Sequence, residues 1–327
     1  MNLIALGLGL LLEKLLTRWL HLREPHWFDG YFDWTLRRLN KLDGFVVLPA
    51  TAAAALLPVL PVLLAAHFFR DTLLGIPYLV FAALVLLFSL GPRDLGEEVS
   101  EYCTALDAGE DERADAVARE LLEAPVPDNH PQRIHALRKS IFIQANNRLF
   151  GVIFWFLSLG LIGAWLFQVS GVRWFLALGP VGAWLFRITD LMRKHTVHSL
   201  AQQEDGEQRP GPVLARAVFR CHGALAWPSA RLLAIGYALA GSFEDAVSDW
   251  RAYYQNTAEH FFEVSNDVLA AAGCGAQGVT PSGEDLSADG VCELESAAAR
   301  AAMALVSRTL IVWITFIALA TLLGWTV

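Results

Sequence analysis

Residues 44–69, 72–92, 149–172 and 309–327 contain no Lys, Arg, Asp or Glu. A helix rises about 1.5 Å per residue and a hydrocarbon core is about 30 Å thick, so runs of 19–26 residues can cross it. Composition points the same way, with 55% of the 327 residues hydrophobic and 18% charged, against about 45–50% and about 25% in globular domains. The expected fold class is all-α: a polytopic helical membrane protein with about five transmembrane helices plus amphipathic and cytosolic helices. The run at 44–69 carries Pro49, Pro58 and Pro61, each of which removes a backbone donor and kinks a spanning helix.

The fifth crossing follows from charge. Residues 174–186 are apolar but lie between Arg173 and Arg187, too short a run to span unless those arginines snorkel. Basic residues favour the cytosolic side. Three basic groups precede or follow the apolar runs: Arg18, Arg23, Arg37, Arg38 and Lys41; Arg133, Arg138, Lys139 and Arg148; Arg187, Arg193 and Lys194. They share one side only if 174–186 crosses back. The expected arrangement is therefore multi-pass, with the soluble segments mainly cytosolic.

The segments expected are N-terminal interfacial helices (1–43), a transmembrane hairpin (44–91), an acidic cytosolic helical segment (92–148), a second hairpin (149–187), a cytosolic or interfacial helical region (188–307) and a C-terminal crossing (308–327). Residues 1–22 read as a retained helix lying in or entering the interface, because no basic residues precede the apolar start and no small-residue cleavage site follows. Residues 26–42 form a second amphipathic piece, set at the membrane surface through Trp27, Phe28, Tyr31, Phe32 and Trp34 or packed on the protein's own core. In the acidic segment Asp94 and Asp111 read as helix caps, Ala114, Val117 and Leu121 as a buried stripe, and Pro125, Pro127 and Pro131 as a linker. Its charges read as a solvated face. Beyond it, 216–241 is amphipathic, 243–272 reads as one long helix and 273–290 as a Gly-rich loop.

Few motifs carry chemistry. Gly273, Gly275 and Gly278 match GxGxxG, but a probe for a dinucleotide site needs a preceding strand and a following helix, and this context gives a loop. His195 and His198 could face one way with Asp190 a turn earlier, although metal binding needs a further convergent ligand, so solvated or headgroup contacts are the plainer reading. Cys103, Cys221, Cys274 and Cys292 show no CxxC pair and read as isolated thiols of a reducing cytosol. The net charge of -8 argues against a nucleic-acid partner. Polar residues at the ends of apolar runs are more informative, because charges at membrane depth are costly. Glu13, Asn146, Asn147, Arg148 and Asp190 lie at such cytosolic ends, either converging on a polar pocket or each capping its own helix.

Several short motifs resemble the AmpE family of bacterial inner-membrane proteins. They are Leu11-Leu12-Glu13-Lys14-Leu15, His26-Trp27 ahead of Leu36-Arg37-Arg38, and Gly91-Pro92-Arg93-Asp94-Leu95; then Asn147-Arg148-Leu149-Phe150 before Phe154-Trp155, Gly179-Pro180-Val181, and Trp227 with Ala230-Arg231-Leu232. Their order extends over nearly the whole chain. The resemblance implies a regulatory signalling modulator linked with β-lactamase induction and the amidase of cell-wall recycling, with the lipid bilayer and such regulatory components as partners. It adds Arg231 to the candidate pocket of Glu13, Asn147, Arg148 and Asp190, with no metal and no cofactor expected. AmpE is in turn distantly similar to the CobD/CbiB adenosylcobinamide-phosphate synthases, membrane amide ligases using ATP and a metal. Ile188-Thr189-Asp190-Leu191-Met192 falls where those enzymes carry a TLDSM motif, and Gln144-Ala145-Asn146-Asn147 near their ESLAEN stretch. Their paired acids, however, correspond to His222 and Gly223, which counts against a ligase needing carboxylates for a phosphate-bound divalent ion. ATP and Mg enter only under that alternative. A carrier of a cell-wall or lipid metabolite is a third reading, weakened by the absence of charges inside the first two runs.

Overall fold

In the computed structural model the described residues are 28–70, 75–90, 95–201, 210–256, 265–278 and 288–323. All regular structure among them is helical. Among the described residues, four helices are long and apolar enough to cross a membrane: Gly44–Arg70, His130–Ser170, Arg173–Ala201 and Cys292–Leu322. The chain divides into two compact units, one from residues 1–92, 147–226 and 319–327, the other from 93–146 and 227–318. The expected boundary at 187/188 falls inside a helix.

The first unit contains α1 (Asp29–Leu39), α2 (Val47–Leu56), α3 (Leu60–Arg70), α4 (Ile76–Ser89), α8 (Gly151–Ser170), α9 (Leu178–Ala201) and the start of α10 (Pro212–Ala240). The prolines of the first apolar run explain its break. Pro58 sits in a 3-10 turn, Leu57–Val59, between α2 and α3. Lacking an N–H, Pro58 cannot donate to the carbonyl four residues back. That carbonyl, Ala54 O, instead accepts the Tyr31 hydroxyl at 2.7 Å, while Pro58 O accepts the Trp184 indole N–H at 3.1 Å. Neighbouring helices thus repair the break. The run at 72–92 yields a described helix of only 14 residues, α4, about 21 Å long and by itself short of the hydrocarbon thickness. Its Ile76, Val80, Leu84 and Phe88 point outward at four-residue spacing, as an apolar surround favours.

Helix α9 is the axis of this unit, packing on α1, α2, α3, α4 and α8. Of its most apolar window 78% is buried, against 22% for Gly44–Arg70 and for Cys292–Leu322. The run at 174–186 is therefore no short isolated crossing. A 3-10 turn at Arg173–Ala177 leads into a 24-residue helix that continues through Arg187, Asp190 and Arg193. Its charges belong to an interior shielded by other helices, which is why hydropathy understates it. Gly182 of α9 lies against the Trp155 carbonyl of α8, and Gly163 of α8 against the Phe175 carbonyl. Gly171, at φ +70°, closes α8 in the left-handed conformation. On α1, Phe32, Leu36 and Leu39 pack into a core with Leu191 and Met192, whereas Trp34 is exposed. Of the two placements open to this segment, Phe32 thus takes the one in the protein's own core.

The second unit contains α5 (Leu95–Asp107), α6 (Asp111–Leu122), α7 (His130–Ala145), α11 (Phe243–Asn256), α12 (Ser265–Gln277), α13 (Ala288–Leu322) and the end of α10. Helix α6 buries Ala114, Val117 and Leu121 as its spacing predicts. Asp111 is its first residue, not its cap, and Glu110 in the cap position makes no side-chain cap bond. Asp94 lies outside the described residues. The region 243–272 is not one helix: α11 and α12 pack against each other, which a continuous rod cannot do, with Trp250 against Ala234, Val268 and Ala272. Nor are Gly273 and Gly275 in a loop. Both lie in α12, where a Cβ on Gly273 would meet the Phe142 ring at 2.4 Å and one on Gly275 the Asp245 carbonyl at 2.8 Å. The glycine spacing serves close helix packing. The acidic segment is also only partly solvated, since Glu98 is buried and Asp115 pairs with Arg133 at 2.8 Å.

Candidate functional site

Three segments of the first unit bring polar side chains together. The π turn Asn146–Phe150 follows α7 and widens the helix just before α8. Asn147 and Arg148 on this turn are both buried. Asn147 Oδ1 lies 3.4 Å from His222 Nε2 of α10, and the His222 ring packs on Phe186 of α9 at 5.4 Å between centroids.

One turn beyond Phe186 is Asp190, with no solvent exposure. Helical spacing sets Arg187 and Arg193 three residues to either side, so both can reach its carboxylate. Arg187 Nη1 donates to Asp190 Oδ2 at 3.0 Å, and Arg193 donates to Oδ1 through Nη2 at 2.9 Å and Nε at 3.2 Å. Lys194 and His222 lie within electrostatic reach. Both carboxylate oxygens thus accept charge-assisted hydrogen bonds, which are about twice as strong as neutral ones.

Of the residues chosen from sequence, Asp190 and Asn147 are joined through His222 and Phe186, and Arg148 is buried on the same turn as Asn147. Asn146 is fully buried beside them in sequence, its amide atoms without a hydrogen-bond partner among the described residues. Arg231 belongs to the second unit, where its guanidinium lies 5.2 Å over the Trp227 ring and Nη1 donates to Ser265 Oγ at 3.2 Å. Glu13 lies outside the described residues. Arg187, Arg193 and His222 join the site only in the structure. The R-x-x-D-x-x-R spacing is the signal the sequence holds for the two arginines, which charge counting alone treats as orientation residues. His195 does not turn to Asp190: its Nε2 lies 2.8 Å from Asp33 Oδ1 of α1. Among the described residues no three His, Cys, Asp or Glu side chains are grouped to hold a metal ion.

A second buried polar cluster, in the second unit, has no sequence signal beyond an acid heading a run of small residues. Glu295 of α13, 1% exposed, accepts from Tyr102 and from Arg133 Nε at 2.7 Å, with His130 Nδ1 3.6 Å away. Burial first, then Glu295, pushes the Tyr102 phenol well above its ordinary pKa, which is about 10. The phenol therefore stays protonated and donates. A raised acid pKa adds stability that is complete below the unfolded pKa and is lost as pH rises above about 10. Tyr102→Phe removes one donor from a buried carboxylate, at a cost of about 1–3 kcal/mol. In thermal melts from pH 8 to 11 the parent should lose stability more steeply than the variant; parallel curves would refute this role for the phenol.

Comparison of the chain with protein-family models, with curated proteins and with solved structures gives no match.

Proposed function

We propose that the chain is a bacterial inner-membrane regulatory protein of the AmpE type, associated with β-lactamase induction and cell-wall recycling signalling. The observation that carries this choice is the use made of Asp190. In the alternative, an ATP- and metal-dependent amide ligase, that acid must present oxygens to a divalent ion on the phosphates. Here both oxygens are held by Arg187 and Arg193, so Asp190 acts as the counter-ion of a buried arginine pair. His222, standing where the ligases carry an acid, offers a ring nitrogen to Asn147.

The proposal includes five crossings, with residues 92–148 cytosolic, 188–307 cytosolic or interfacial, and the bilayer as the surround of the outward Leu, Ile and Phe side chains on α3, α4, α8 and α13. Reporter fusions near Asp115 and Gly283 are expected to read the cytosolic side.

Deleting the gene should alter β-lactamase induction over a range of inducer concentrations. An unchanged dose response would remove the regulatory reading. Incubation of the purified protein with ATP and magnesium separates the alternative, because nucleotide turnover would replace regulation by ligase chemistry.

A further inference from the structure

We propose that the second half of α10, which the composition placed in a cytosolic region, carries a face embedded in the acyl chains of the bilayer. The inference rests on the membrane reading above. Early in α10 the exposed surface is mixed, with Arg216 and Arg220 beside Val213 and Phe219. From residue 221 to 240 the charges leave it. The exposed positions are Ala224, Leu232, Ile235 and Leu239, all apolar, while Ser229 and Tyr237 are fully buried.

Leu232, Ile235 and Leu239 follow i, i+3, i+7 spacing and form one stripe. Beyond the end of α10, Phe243 opens α11 and is exposed too, before Glu244 and Asp245 restore an exposed charged surface. From Arg220 to Ala240, where α10 ends, the helix covers about 30 Å, comparable with the hydrocarbon thickness.

Continuity with α13 identifies the occupant. A Cβ on Gly236 would lie 2.8 Å from Thr309 Cγ2 and 3.0 Å from Trp313 Nε1, so the α10 backbone sits directly on the apolar part of Cys292–Leu322. Ile311 and Phe316 of that segment are outward-facing and exposed. The α10 stripe therefore extends a surface that already suits lipid. The one charge in the stretch, Arg231, is drawn to the Trp227 ring and Ser265 rather than left on the stripe.

Nitroxide labels in the full chain test this. With the four cysteines replaced by serine, Ile235→Cys and Leu239→Cys are labelled, with Leu64→Cys on α3 and Asp111→Cys on α6 as references. The proteins are placed in phosphatidylcholine–phosphatidylglycerol vesicles, and relaxation by oxygen is compared with relaxation by a water-soluble nickel chelate. Labels at 235 and 239 should favour oxygen, as at 64, while 111 favours nickel. Nickel access at 235 and 239, or protection from both reagents, with 64 still in lipid, overturns the proposal and leaves the membrane reading standing. Nickel access at 64 defeats that reading and this proposal with it.

Discussion

Asp190→Ala should cost the purified protein about 3–5 kcal/mol, the penalty for removing one partner of a buried ion pair. Asp190 has no exposure and the Arg187 side chain is 3% exposed, so water cannot replace the lost carboxylate. The thermal midpoint should fall by on the order of 10 °C, with lower yield of folded protein. Asp190→Asn keeps shape and an acceptor and should fall less far. The double variant Arg187→Met, Asp190→Leu removes the more deeply buried of the two arginines together with the acid, keeps Arg193, and should be more stable than Asp190→Ala alone. A midpoint unchanged in Asp190→Ala would show that the acid does not hold the arginines.

Gly163→Ala and Gly182→Ala should each open the α8–α9 interface. An added Cβ would meet the Phe175 carbonyl oxygen at 2.0 Å in the first case and the Trp155 carbonyl oxygen at 2.4 Å in the second. Backbone oxygens cannot swing aside like a flexible side chain, so the helices must separate. Overpacking of this kind costs about 1–3 kcal/mol and more where backbone must move. Close approach at small residues is also how helices associate in lipid, where no hydrophobic force separates lipid tails from leucines. Gly30→Ala on α1 is the control, because its added Cβ meets nothing within 4 Å. Melting in detergent should show two large losses and no loss at Gly30. Equal midpoints for all three would mean that α8 and α9 are not in such contact.

The helical character of the chain was legible because it is written in local spacing and in long uncharged runs. Ala114, Val117 and Leu121 mark their buried face by period alone, and the 44–69 run declares its length. The candidate site was legible only in part. Asp190 and Asn147 stand out as polar residues at the ends of apolar runs, but nothing local says that His222, over 70 positions from Asn147, approaches it. Arg187 and Arg193 carry the same positive charge in a loop or in a core, so counting charges assigned them to orientation.

The sequence by itself determined which segments are apolar enough to leave water and where chain breakers fall, since both depend on residues close together in the chain. Tertiary structure decided which of those segments face outward and which are sheathed by other helices. Burial is a property of neighbours: α9 can carry two arginines and an aspartate at its centre because α1 to α4 and α8 surround it, and the glycines of α12 read as a loop until a second helix is pressed against them.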